Sequence, residues 1–352
     1  MPTMRSLAIC SSRGVNNLPV KRSRIVIEQF DSKALIGNPL NDPTIRRVPV
    51  YLPAGYDDSD QRFATVYILA GFGQRGLKLL NDSLWDENIQ ERMDRLIEQK
   101  KVQPMILVLP DASTRYGGSQ YLNSSATGRY EDHILELVKF IDEKYRTYPE
   151  RDFRAVAGHS SGGYGAMLLA MRHADTFGLA ADHSGDKYFE LVFKPEFGDF
   201  LRYYEQVEEE GLRQLLKSPG ESLSKGAPFK ALSMVAMAAC YSPNPNAKYG
   251  FDFPFNLHTG ELRSEVWECW MALDPINMVD EHANNLRSLK MLFFDCGTRD
   301  EYNLLFGARQ FAARLDENNI PYRFEEFDGG HRNVAYRFDV SLALISEVIM
   351  TK

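Results

Sequence analysis

The amino-acid sequence predicts an α/β fold: a mostly parallel central sheet with helices on both faces and a helical or irregular insertion late in the chain. Three observations predict it. Short β-rich runs alternate with helical stretches from about residue 64 onward, the pattern of strand–helix–strand units. One helical stretch carries Ile134, Leu137, Val138 and Ile141 at the spacing of a single buried face. A Gly-x-Ser-x-Gly sequence, Gly158-His-Ser-Ser-Gly162, lies directly between a strand-like run and a helix-like one.

Residues 1–22 read as a flexible tail, small, polar and without period. Residues 23–352 read as one domain. Its first strands are expected at 24–30 and 46–52, as a hairpin-like, antiparallel edge, with Pro49 favouring an edge position because it has no N–H to donate. Strands follow at 64–69, 105–109, 153–157 and 179–181, and helices at 131–145 and 162–173. After these the rhythm breaks. Residues 186–280 hold a Glu-rich helix (203–216), a Ser/Gly/Lys linker (218–226) and an aromatic Pro/Asn stretch (241–255), read as an insertion that caps the pocket. The alternation resumes with a strand at 290–294, a helix at 303–316, a strand at 322–327 and a closing helix at 338–350. In the 303–316 helix, Leu304, Ala308, Phe311, Ala312 and Leu315 share one face. Trp85 is expected in the core.

Composition narrows the function classes. The chain has 352 residues, 44% hydrophobic and 25% charged, and a net charge of −7. Without clustered Lys and Arg it is not built to hold a nucleic-acid backbone. Cys10, Cys240, Cys269 and Cys296 are far apart and form no CxxC, so neither a zinc site nor a disulfide framework is expected. Cys296, in an apolar run, reads as a buried thiol. No run reaches the length of a membrane span, and the first residues lack the apolar core of a secretory signal. The expected location is cytoplasmic.

The Gly-x-Ser-x-Gly motif supplies a candidate nucleophile. A serine on a sharp strand-to-helix turn projects its hydroxyl at a helix N-terminus, and only small neighbours fit two residues either side. Ser160 has Gly158 and Gly162 at those positions. Ser161 has His159 and Gly163, so it fits less well and is assigned a backbone N–H in an oxyanion hole. The bland alternative is a Gly/Ser-rich helix start that only eases packing.

Serine needs a base and an orienting acid. His331, in Asp328-Gly-Gly-His331, follows the final strand and comes last in the order nucleophile, acid, histidine. The alternative is a surface-loop histidine. Asp300 lies on the loop after the preceding strand. Glu301 and Asp295 are nearby alternatives, and an Asp there could instead cap the 303–316 helix. The second N–H of the hole is expected from Phe72, in Leu69-Ala-Gly-Phe-Gly-Gln74, unless that stretch is a generic Gly-rich strand exit.

Several segments in order resemble the esterase D family of α/β-hydrolase-fold serine esterases, the group that includes S-formylglutathione hydrolases, enterochelin-type and feruloyl esterases, and mycolyltransferases. They are Val48-Pro-Val-Tyr-Leu-Pro-Ala-Gly-Tyr56, Val66-Tyr-Ile-Leu-Ala-Gly-Phe-Gly73, Val108-Leu-Pro-Asp111, Gly118-Ser-Gln-Tyr-Leu-Asn-Ser124, Gly158-His-Ser-Ser-Gly-Gly-Tyr-Gly165 and Gly329-Gly-His331. The resemblance implies the α/β-hydrolase fold, with Ser160 as nucleophile, Asp300 as acid and His331 as base. It implies Phe72 and Ser161 as the oxyanion hole, no cofactor and no metal. It also implies that the 111–125 segment lines the pocket, which makes Tyr121 and Asn123 substrate contacts together with His159. The chain departs from the family in having Ala70 where a histidine is common, in its long 186–280 insertion, and in a segment before residue 45 too short for an extra domain.

The expected reaction is hydrolysis of a small-molecule carboxylic or thio ester through an acyl-enzyme. Acyl transfer on the same site and a catalytically silent binding role are the alternatives. Tyr241, Tyr249, Phe251, Phe253, Phe255, Trp267 and Trp270 either shape an aromatic acyl pocket or pack the insertion's own core. The cap edge or the first edge strand offers a surface for a homodimer.

Overall fold

A computed structural model describes residues 22–350. The tail read at 1–22 lies outside the described residues except for its last, as does Cys10. In chain order the elements before the insertion are β1 (Arg24–Asp31), β2 (Ile45–Leu52), β3 (Thr65–Leu69), α1 (Ile89–Glu98), β4 (Ile106–Val108), β5 (Asn123–Ser124), β6 (Gly128–Arg129), α2 (Tyr130–Lys144), β7 (Arg154–His159), α3 (Ser161–Arg172) and β8 (Leu179–His183). The insertion at 186–280 holds α4 (Phe189–Val192), α5 (Lys194–Lys217), α6 (Pro219–Ser224), α7 (Phe229–Tyr241), α8 (Ser264–Met271) and α9 (Pro275–Met278), and α10 (Ala283–Ser288) follows it. The chain then returns to the sheet with β9 (Met291–Gly297), α11 (Leu304–Glu317), β10 (Arg323–Phe327) and α12 (Phe338–Met350).

Eight strands form one sheet in the order β1-β2-β4-β3-β7-β8-β9-β10, with β5 and β6 paired separately. From β4 to β10 every pairing is parallel, and β1–β2 and β2–β4 are antiparallel. The strands read as apolar runs because both faces are covered. Tyr67, Leu69, Val108, Val156 and Phe294 join the core under α2, α3 and α11. Val66, Ile68, Leu107, Ala157 and Phe293 point to the opposite side, where α1 and α12 pack. The side-chain period of two thus sorts each strand between two cores.

Three expectations need correction. Pro49 is not on an edge strand, since β2 lies between β1 and β4. It is tolerated because β4 pairs only with Val50 and Tyr51. The Pro49 carbonyl still accepts the Leu109 N–H at 2.9 Å, and the donor it lacks falls beyond the end of β4. Trp85 is 88% exposed, on the irregular segment that leads into α1. The expected linker at 218–226 contains α6, and the expected helix at 203–216 starts nine residues earlier, at Lys194.

The insertion builds its own aromatic core. Phe197 and Phe200 of α5 pack against Phe253, Phe255, Trp267 and Trp270, and Tyr241 at the end of α7 packs on Trp270. The seven aromatics named from the sequence pack the insertion's own core, as the second of the two readings has it, and none of them lines the cavity around Ser160. Cys240 and Cys296 are buried and Cys269 is exposed. Among the described residues no helix is long and apolar enough to cross a membrane.

The chain leaves β3 toward β4, then crosses back to β7 on the other side of β3. The loops after β3 and β7 consequently diverge, and they open a crevice at the carboxyl ends of these strands, where open α/β sheets place ligands.

Candidate active site

Ser160 occupies that crevice, between β7 and α3. Its backbone is at φ 58°, ψ −129°, far from the ordinary regions for a side chain with a β-carbon. The turn holds because its neighbours have no side chains. A β-carbon on Gly158 would lie 2.2 Å from the Gly162 carbonyl oxygen, and one on Gly162 would lie 2.2 Å from the Leu69 carbonyl oxygen. The Ser160 N–H is held by the His183 carbonyl at 2.9 Å.

His331 and Asp300 meet this serine from far along the chain. Ser160 Oγ lies 2.9 Å from His331 Nε2, and His331 Nδ1 lies 2.8 Å from Asp300 Oδ2. With Nδ1–H donating to the carboxylate, Nε2 is left free to accept the serine proton. The Asp300 side chain is fully buried. Its Oδ1 accepts the Tyr302 N–H at 2.9 Å, so it also supports the turn ahead of α11, although the helix cap residue is Asn303. Glu301 does a different job from its neighbour: its carboxylate accepts the His331 backbone N–H at 2.7 Å, and this bond is the main cause of its lowered pKa.

His159 also touches His331. The two rings lie 4.7 Å apart, and His159 Nε2–H donates to the His331 carbonyl at 2.9 Å. Burial, with repulsion from His331, pushes the His159 pKa down to about 3, so it acts as a neutral brace for the His331 loop.

The loop after β3 runs alongside the serine. A β-carbon on Gly71 would lie 3.5 Å from Ser160 Cβ. The Phe72 ring is wedged between Gly117, Gly118 and Phe229. Among the described residues no acceptor takes up the N–H of Phe72 or of Ser161. Two free donors beside a serine hydroxyl are what a developing oxyanion requires.

The expected pocket residues divide. His159 lines the cavity around Ser160, a space of about 560 Å³, but Tyr121, Asn123 and the rest of the 111–125 segment do not. Tyr121 packs under Gly165 and donates its hydroxyl to the Ala70 carbonyl at 2.7 Å, which supports the Phe72 loop from behind. Asn123 is exposed in β5, where its side chain accepts the Asp132 N–H at 3.2 Å at the start of α2.

Comparison with known proteins agrees with this architecture. A family model described as "Putative esterase" matches residues 43–346. The chain belongs to this esterase family. An esterase of Mycobacterium tuberculosis is 24% identical over 331 residues, covering 90% of this chain and 58% of its own length. The chain therefore spans somewhat over half of that relative. An endo-1,4-beta-xylanase/feruloyl esterase of Xylanibacter ruminicola is 27% identical over 199 residues, 53% of this chain and 26% of its own. Among solved structures, a ferulic acid esterase superposes with a TM-score of 0.58 at 22% identity, covering 93% of this chain and 99% of its own. An S-formylglutathione hydrolase from Staphylococcus aureus superposes at 0.56 and 19% identity, with the same coverage. These likenesses carry the α/β-hydrolase fold.

The cavity has walls that the sequence did not disclose. The insertion contributes Val192, Phe193, Phe229 and Met237, and the turn after β8 contributes Asp186. The position of Asp186 at the carboxyl end of a parallel strand was the available signal. A second Ser-His-Asp chain exists: Ser341 donates to His183 Nε2 at 2.9 Å, and His183 Nδ1 donates to Asp295 at 2.9 Å. All three are buried and none lines the cavity, and Arg337 neutralises Asp295 at 2.7 Å. Hydrogen bonding alone therefore does not distinguish a reactive serine; a strained turn and an adjoining cavity are found at Ser160 and not at Ser341. Among the described residues no group of three His, Cys, Asp or Glu side chains is placed to hold a metal ion.

Proposed function

We propose that this protein hydrolyses carboxylic or thio esters with Ser160 as nucleophile, His331 as general base and acid, and Asp300 as the group that orients and charges His331. The observation that carries this reading is the unbroken chain from Ser160 Oγ to His331 at 2.9 Å and on to Asp300 at 2.8 Å, with the serine on a strained turn at the mouth of a cavity.

His331 Nε2 accepts the Ser160 proton as Oγ attacks the substrate carbonyl carbon. The carbonyl oxygen takes the electron pair and sits against the N–H groups of Phe72 and Ser161. As the tetrahedral centre collapses, the C–O or C–S bond to the leaving group breaks, and His331 returns the proton to that group. Water then repeats the sequence on the acyl-Ser160, releasing the acid and restoring the hydroxyl. Asp300 holds the His331 Nδ1–H and stabilises the imidazolium at both stages. Glu301 and His159 hold the His331 backbone from two sides, which limits the loop motion that would break the 2.9 Å contact.

Turnover of a short p-nitrophenyl ester by the Ser160→Ala variant tests the assignment. The expected result is a loss of about 1,000-fold or more in kcat. Retention of most of the activity in a folded variant would overturn it.

A further inference from the structure

Asp186 is a charged group in the cavity that this chemistry leaves unused. It lines the same space as Ser160 and His331, yet it is only 8% exposed. Gln120 Nε2 donates to its Oδ2 at 3.0 Å, and among the described residues no other hydrogen bond reaches the carboxylate. The adjacent Lys187 is not its partner, because that ammonium is paired with Asp182. Glu196, the other carboxylate on the cavity wall, is paired with Lys230 at 3.4 Å. Burial pushes the Asp186 carboxyl up to about 6, while the Gln120 hydrogen bond pulls it back. A buried carboxylate with a single neutral donor destabilises a fold unless something else completes its shell.

The surrounding backbone is bent to maintain this arrangement. Gln120 and Tyr121 are consecutive non-glycine residues at φ 49° and 55°, a strained conformation for side chains with a β-carbon. The Gln120 amide also donates to the Tyr241 hydroxyl at 2.8 Å, which ties the carboxylate to the end of α7. Its Oε1 is buried with no donor. On the insertion side the cavity wall combines the apolar Val192, Phe193, Phe229 and Met237 with Ser233 and the ion-paired Glu196 and Lys230. On the opposite side, at Gln74, Lys78 and Asn333, the cavity runs on into a second depression of about 430 Å³. The continuous space leaves room for both halves of an ester around Ser160.

We propose that Asp186 is a substrate-recognition carboxylate, and that the site selects esters whose acyl group carries a hydrogen-bond donor, a hydroxyl or an ammonium, directed at Asp186. The inference rests on the Ser160 reading for the placement of the acyl group. The apolar part of this wall favours the carbon chain, and a carboxylate that receives one hydrogen bond favours a donor along that chain.

The test compares p-nitrophenyl hexanoate with its 3-hydroxy, 6-hydroxy and 6-amino counterparts, reading ratios of kcat/KM. The native enzyme is expected to favour at least one donor-bearing ester by about 10-fold or more. In Asp186→Leu the ratio should collapse to about one. In Asp186→Asn, which keeps an acceptor but no charge, preference for the ammonium should fall more than preference for the hydroxyl. The inference is overturned if the native enzyme prefers plain hexanoate to all three, if the ratios survive Asp186→Leu, or if selectivity follows a donor placed on the alcohol half instead. Should Asp186→Leu fail to fold, Asp186→Asn carries the comparison. Calorimetric binding of the corresponding ethyl esters to Ser160→Ala reads the same preference without turnover. A native protein that turns over none of the esters defeats the Ser160 reading, and the binding ratios then decide on Asp186 separately.

Discussion

Replacing Asp186 with Asn removes a charge from the cavity and leaves the shape of the side chain almost unchanged. The Asn carbonyl still offers an acceptor to Gln120 Nε2, so the 3.0 Å bond has a counterpart in the variant. The carboxyl's ordinary value is 3.8, and burial holds it at about 6 in the folded protein. Between those values the folded state binds a proton that the unfolded chain has released. Stability therefore falls as pH rises through that window and stays lower above it. Each pH unit of the window is worth about 1.4 kcal/mol, so the ionised carboxylate costs the native fold about 3 kcal/mol at about pH 8. At about pH 4 the folded carboxyl is protonated, and the two proteins should differ by less than about 1 kcal/mol. Urea unfolding followed by tryptophan fluorescence measures this directly, since Trp267 and Trp270 are buried in the insertion. The expected result is a variant that gains on the native protein as pH rises, reaching about 3 kcal/mol at about pH 8. A difference independent of pH, or one that favours the native protein more as pH rises, would refute the claim that Asp186 is buried without a neutralising partner.

Two further outcomes follow from the geometry. Gly158→Ala would set a β-carbon 2.2 Å from the Gly162 carbonyl oxygen. It should lower kcat/KM by about 100-fold or more and the urea-unfolding free energy by about 1–3 kcal/mol. Asp300→Asn keeps the shape of the acid but lets an amide N–H face Nδ1, favouring the wrong imidazole tautomer. Steady-state kinetics should show kcat down about 1,000- to 10,000-fold, with KM changed little; a fall of only a few-fold would return the role of acid to Glu301.

The parts of the fold legible in the sequence were those with a period. β3, β7, β8 and β9 are apolar runs because two cores claim alternate residues, and α2 and α11 show single stripes. α7 carries no legible stripe, because Ala231 to Tyr241 is buried almost all round. α1 was missed although Asn88 and Glu91 form a capping box readable at that spacing. Trp85 shows the limit of residue type as a guide: its exposure is decided by the path of the segment before α1, not by its hydrophobicity. In the site, Ser160, Asp300 and His331 could be ordered because each sits on a loop after a recognisable strand. Tyr121 and Asn123 could not be aimed, because a motif marks a neighbourhood and not a side-chain direction. Asp186 was hidden more deeply. Its environment is assembled from Gln120, Tyr241 and His331, which meet only in the folded chain.

In the proposed reaction one serine, made reactive by its turn and by His331, carries the chemistry. A fluorophosphonate reports this directly, since it forms a stable adduct with an activated serine. Treatment of the native protein, followed by digestion and mass mapping, is predicted to place the adduct on Ser160, with no labelling of Ser161 or of the buried Ser341 and none at all in Ser160→Ala. An adduct on another serine, or an unlabelled protein that still hydrolyses esters, would contradict the account.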